Sequence, residues 1–169
     1  FANGLPAMEK IGLGKFLTGV LWKPSNNIFG ILPMIMGSIY VTAGAIIIGV
    51  PIGLCTAVFM AHYCPKKIYV ICKAAVNLMA GVPSVVYGFF GLVCIVPLMQ
   101  DLTGHDGSTM LTASILLGIM ILPTIVSVCE AAICSVPTPY YEGALALGAT
   151  KERSIFLTVI PAAKSGIVA

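Results

Sequence analysis

Tyr140–Pro161 reads YYEGALALGATKERSIFLTVIP, the one run in the chain that mixes charge, glycine and helix-start signals. Thr138-Pro139, just before it, is a good helix opening: the Thr hydroxyl can accept from an orphan amide, and Pro sits where a missing N–H costs nothing. Tyr140 to Leu147 then makes about two turns of helix. Gly148 ends them, as a residue free to take the left-handed conformation that a C-terminal cap favours. Thr150 starts a second helix, with Glu152 in its first turn on the favourable side of the dipole. Two short helices joined by a glycine elbow make a rigid knob. On a loop between membrane spans, such a knob suits docking a soluble partner.

The rest of the chain supplies the spans. Hydrophobic residues make up 59% of the sequence and charged ones 9%, which excludes a soluble domain. No residue from Phe29 to Ala61 is charged, and a span is expected over roughly Met34 to Ala61. Gly49 and Gly53 form a small-xxx-small pair there, a packing seam by default, with Pro51 between them as a possible hinge. His62 to Lys73 is a basic connector. Ala74 to Gln100 is a second uncharged run, and the acidic connector Asp101 to Asp106 follows it. Met110 to Val128 is a third span, with Pro123 expected to break its backbone pairing. Residues 1–30, with Pro6, Pro24 and Ser25-Asn26-Asn27, read as an irregular, partly interfacial lead-in. There Ile11, Phe16, Leu17 and Trp22 could lie along the bilayer surface. Ile155 to Ala169 is expected to re-enter the membrane, beginning at the interface because of Lys164.

Charge sets the orientation. Lys66, Lys67 and Lys73 lie in the first connector, and Lys151, Arg153 and Lys164 in the 135–165 stretch, whereas Asp101 and Asp106 have no base beside them. The positive-inside rule puts the two basic stretches in the cytoplasm and the acidic one outside. Lys10, Lys15 and Lys23 of the lead-in run against this and are accepted as the exception. The scattered bases form no patch for nucleic acid. The six cysteines form no CxxC pair or disulfide framework and read as free, buried small hydrophobes.

No catalytic constellation is present. His62 and His105 are expected on opposite sides of the membrane, and no metal, cofactor or nucleotide-cradling motif occurs, so any ATP that drives this chain binds another. Glu130 is the one acid beside a span. It is either functional or an interface residue paired with water or a neighbouring Lys or Arg. Ala80 to Val93, AGVPSVVYGFFGLV, reads as a helix broken at Pro83, with Gly81 and Gly88 permitting a bend. Ser84 and Tyr87 share a face of it. They are speculative donors to an anion on a substrate path, or hydroxyls satisfied by neighbouring helices.

The Tyr140–Pro161 run resembles the cytoplasmic coupling loop of bacterial ABC importer permeases. The pattern of that loop is E-A-A, three residues, G, nine residues, I-x-L-P. Glu142, Gly143, Ala144, Gly148, Thr158, Ile160 and Pro161 occupy those places, with Gly143, Thr158 and Ile160 departing mildly from it. FGILPMIMGSIYVT, GVPSVVYGFFGL and LTASILLGIMILPTIVSVCEAAI extend the resemblance to the phosphate-importer permeases, the first of the two related chains, from about Phe29 onward. The resemblance implies an all-α polytopic bundle of the type I importer kind. About three spans would fall within 31–169, and an N-terminal span and about two C-terminal spans would lie outside this chain. The cytoplasmic coupling loop would cover 135–161.

It also implies a location in the bacterial inner membrane, a second permease subunit, cytoplasmic ATPase subunits and an extracytoplasmic phosphate-binding protein. Glu142, Gly143, Ala144, Gly148 and Pro161 would take part in ATPase coupling, and phosphate would cross by alternating access. The alternatives are another oxyanion, sulfate or molybdate, and a structural or channel-like membrane subunit that needs no ATPase.

Overall fold

The computed structural model describes residues 12–26, 28–104 and 106–168. The expected positions of Ile11 and His105 lie outside the described residues.

Among the described residues of the lead-in there is a short helix, α1 (Leu13–Thr18), and a small antiparallel hairpin, β1 (Trp22–Lys23) with β2 (Ile28–Phe29). Trp22 and Phe29 meet edge to face across the hairpin, and the Ile31 amide donates to the Phe16 carbonyl at 3.0 Å, tying α1 to the start of the first long helix. That helix, α2 (Leu32–Tyr63), overruns the expected span at both ends. Only Cys64 and Pro65 then interrupt the chain before α3 (Lys66–Gly81), so the basic connector is largely helical. After the break at Val82-Pro83 comes α4 (Ser84–Thr103), then α5 (Met110–Cys134), which runs through Pro123 without interruption. The polar stretch ends in α6 (Thr138–Ala146), in α7, which starts as Lys151–Ser154 and continues to residue 162, and in α8 (Lys164–Val168).

The bundle is built on one seam. Ala45, Gly49, Gly53 and Ala57, spaced one helical turn apart, are the buried stripe of α2. With the adjacent Gly44 lying against Ser114, they face Gly118, Ile121, Ile125 and Cys129 of α5, with residue numbers rising together, so the two helices run parallel. Small side chains are needed because a membrane offers no hydrophobic drive between helices, and close backbone approach supplies dispersion instead. A Cβ on Gly53 would sit 2.6 Å from Ile125 Cγ2, and one on Gly49 3.2 Å from Ile121 Cδ1. The two-glycine seam read from the sequence is thus the middle of a four-residue stripe. The opposite faces of the long helices stay exposed. This corrects the reading of the cysteines: all six are free, but only Cys129 is buried.

Three turns are widened to π-helical geometry: Phe59–Tyr63, Gly91–Ile95 and Ile155–Val159. Each stands two residues before a proline, Pro65, Pro97 or Pro161. Proline cannot donate to the ladder, and its ring collides with the carbonyl one turn back. At Pro97 and Pro161, which stay helical, widening the turn moves that carbonyl away, whereas Pro65 follows an extended Cys64 at which the helix ends. In all three cases the residue before the proline donates five back: Cys64 to Phe59, Val96 to Gly91, Ile160 to Ile155.

The bend at Pro83 has a different origin from the expected one. Val82 (φ −76, ψ 124) and Pro83 (φ −59, ψ 143) are themselves extended, and neither Gly81 nor Gly88 has a positive φ. The restriction that proline places on the residue before it is enough to end α3.

Candidate coupling surface

The knob is built by local rules. Pro137, not Thr138, is the N-cap of α6, and no side chain caps that helix. Thr138 is already helical and Pro139 stands in the first turn. At the other end Gly148 is left-handed (φ 85). Its amide donates to Leu145 O at 2.9 Å and the Ala149 amide to Ala144 O at 3.1 Å. This paired closure satisfies the last carbonyls of α6. Thr150 then caps α7, its Oγ1 accepting from the Arg153 amide at 3.3 Å. The elbow turns within the four residues from Leu147 to Thr150.

One face of this unit is anchored. Ser154, Ile155 and Val159 of α7 are buried with Ala57, Val58, Cys129 and Ile133, where the ends of α2 and α5 meet. Tyr141 of α6 stacks on His62, ring centroids 5.7 Å apart. The other face is bare: Glu142, Gly143 and Pro161 are exposed, and Leu147, at the tip, is 92% exposed. An exposed apolar side chain at a rigid corner is a typical contact point for a partner. Sequence reading passed over Leu147, although it stands directly before the elbow glycine. Among the described residues Glu142 makes no side-chain hydrogen bond or ion pair. A methyl on Gly143 would meet nothing within 4 Å, so glycine in place of the pattern's alanine leaves the surface intact.

Ser84 and Tyr87 share one helix, but they are engaged differently. The Tyr87 hydroxyl donates to the Met79 carbonyl at 2.9 Å, bracing α3 and α4 across the Pro83 break. Its only proton is therefore committed, while Ser84 is exposed at the first turn of α4.

Glu130 has acquired partners. It is 3% exposed; Oε1 accepts from the Tyr69 hydroxyl at 2.5 Å, and Oε2 pairs with Lys73 Nζ. The bond to Glu130, followed by burial, pushes the Tyr69 phenol up from its ordinary value, so it remains a donor throughout the neutral range. Tyr69 and Lys73 lie one turn apart on α3 and so present one face. That spacing was the available signal, but nothing local connects it to a residue so distant in sequence.

A parallel small-residue seam, a helix broken at Pro83 and a helical knob at one end define a polytopic α-helical membrane bundle. Residues 49–169 match the family described as "Binding-protein-dependent transport system inner membrane component". The chain belongs to that family and is a multi-pass membrane protein.

It is 34% identical, over 99% of its length and 61% of the relative's, to the "Probable phosphate transport system permease protein PstC" of Methanocaldococcus jannaschii. It is 39% identical, over 95% of its length and 51% of the relative's, to the "Probable ABC transporter permease protein YqgH" of Bacillus subtilis. With the "Phosphate transport system permease protein PstC" of Mesorhizobium japonicum the figures are 32%, 99% and 57%. The chain therefore spans about half to three fifths of these relatives.

Among solved structures it resembles an amino acid ABC transporter (TM-score 0.56, 25% identity, 79% of this chain and 59% of that one). It shares the fold of the MetNI methionine ABC transporter (TM-score 0.61, 22% identity, 82% and 63%).

Proposed function

We propose that this chain is part of the permease subunit of an ATP-driven importer that moves inorganic phosphate into the cytoplasm by alternating access. The observation that carries this is the knob: a rigid elbow bare on its outer face and rooted in the core by Ser154, Ile155 and Val159. A push on α6 is thereby delivered to the ends of α2 and α5. In this reading Glu142 and Leu147 face a cytoplasmic ATPase subunit, Gly148 sets the elbow angle, and Pro161 seats the widened turn of α7. A second permease subunit and further spans cover the exposed apolar faces, and an extracytoplasmic binding protein delivers the ion. The substrate rests on the names of relatives. Ser84, whose hydroxyl is not committed to a neighbour among the described residues, is the path donor favoured over Tyr87.

The basic residues Lys66, Lys67, Lys73, Lys151 and Arg153 gather at the knob end, and Asp101 and Asp106 lie at the other, which supports a cytoplasmic knob in an inner membrane. Leu147→Asp is expected to weaken ATPase association at least ~10-fold, since a buried Leu contributes about 1.5–3 kcal/mol to such a contact. Co-purification of the ATPase with the mutant chain checks it.

The functional test is labelled phosphate uptake in cells whose only phosphate importer contains the full-length chain, with unlabelled sulfate as competitor. ATPase-dependent uptake indifferent to sulfate is expected. Inhibition by sulfate would replace phosphate with a broader oxyanion class. Uptake of neither ion would return the chain to a subunit without ATP coupling.

A further inference from the structure

The inference rests on the reading of the chain as a permease driven through its knob. Glu130 lies one turn before α5 ends at Cys134, at the root of the knob. Both of its carboxylate oxygens are held from α3, by Tyr69 and Lys73. α3 has no fully buried residue of its own, and this grip supplies its side-chain hydrogen bond and ion pair to α5 among the described residues. Separating the two helices would strand a buried carboxylate without its counter-ion, a costly state away from water. The compliant point lies at the other end of α3. There Val82 and Pro83 are extended, Pro83 donates no hydrogen bond, and the Tyr87–Met79 contact is the one side-chain brace across the break among the described residues. Beyond it, α4 has its own attachment to α5, Gly91 lying against Leu116.

We propose that Glu130 is a positioning residue for transport: with Lys73 and Tyr69 it clamps α3 to the knob-bearing end of α5, so that the two move as one body and Val82-Pro83 absorbs their motion relative to α4. The clamp then extends the driven body from the knob to the entrance of α4, beside Ser84.

The test uses the full-length chain assembled with its partner permease, ATPase and binding protein in proteoliposomes. Glu130→Gln keeps the shape and an acceptor for Tyr69 but removes the charge facing Lys73. It is expected to lower the phosphate moved per ATP hydrolysed about tenfold, and the exchange Lys73→Glu with Glu130→Lys to recover a large part of that ratio. A ratio equal to the parent's in Glu130→Gln would overturn the proposal, as would an exchange no better than its single changes.

A second arm covers a variant that does not assemble. Lys73→Cys with Glu130→Cys, in a chain whose six native cysteines are replaced, is bridged by a short bis-methanethiosulfonate reagent, which spans the reach of the two side chains better than a direct disulfide and is released by reduction. Helices that move together transport with the cross-link closed and poorly with it reduced. A cross-link that stops uptake would show that the helices must part and would overturn the clamp. Parent complexes without ATP-driven uptake would strike the permease reading instead, which separates the two failures.

Discussion

Gly148→Asp is expected to abolish ATP-driven uptake while the membrane bundle stays folded. The two halves of this outcome have separate causes. Gly148 stands at φ 85, and a Cβ built there meets nothing within 4 Å. The substitution therefore creates no clash, and the left-handed conformation costs a non-glycine residue about 1 kcal/mol. The new carboxylate lies at the C-terminal end of α6, the wrong pole of its dipole, for a further ~0.3–1 kcal/mol. A penalty of that size is small against the α2–α5 seam, but it falls on the two hydrogen bonds that fix the elbow, from Gly148 and Ala149. It also puts a charge beside Leu147, on the face proposed to meet the ATPase.

Normal amounts of chain in the membrane, loss of the co-purified ATPase and no uptake would together match the expectation. Gly148→Asn, which tolerates the same backbone without the charge, should retain more uptake than Gly148→Asp. Full uptake in Gly148→Asp would remove the elbow from the coupling path.

Gly53→Leu is expected to fail earlier, at folding. The first added atom would already lie 2.6 Å from Ile125 Cγ2 and 3.1 Å from its Cβ. Ile125 is half-buried and packs against the core cluster, which opposes its displacement. A leucine must force α2 and α5 apart, and the contacts along Ala45, Gly49 and Ala57 loosen with it. Overpacking alone costs about 1–3 kcal/mol, and loss of close approach in a membrane seam adds to that. The measurement is the amount of monodisperse, detergent-extracted chain, with Gly81→Ala as comparison because a methyl on Gly81 meets nothing within 4 Å. Little recovered protein for Gly53→Leu and near-normal recovery for Gly81→Ala is the expected pattern. Equal recovery of both would mean that the seam does not hold the bundle together.

The sequence by itself determined those features that depend on near neighbours. The uncharged runs dictated membrane-spanning helices, because lipid leaves backbone groups no partner but each other. The left-handed Gly148, the Thr150 cap and the break at Pro83 arise from steric and hydrogen-bonding rules that act within a few residues, and the knob was legible for that reason. Even here the detail could slip: Thr138 was expected as a cap and is instead the first helical residue, since Pro at the next position fits either register.

Only the tertiary structure decided the rest. The union of Glu130 with Tyr69 and Lys73, the extension of the glycine seam to Ala45 and Ala57, and the commitment of the Tyr87 hydroxyl to Met79 all join different helices or opposite sides of a break. Such contacts are set by the rotation and register of one helix against another. Those quantities come from side-chain volumes summed along the whole seam, and no single stretch of an apolar sequence reveals them.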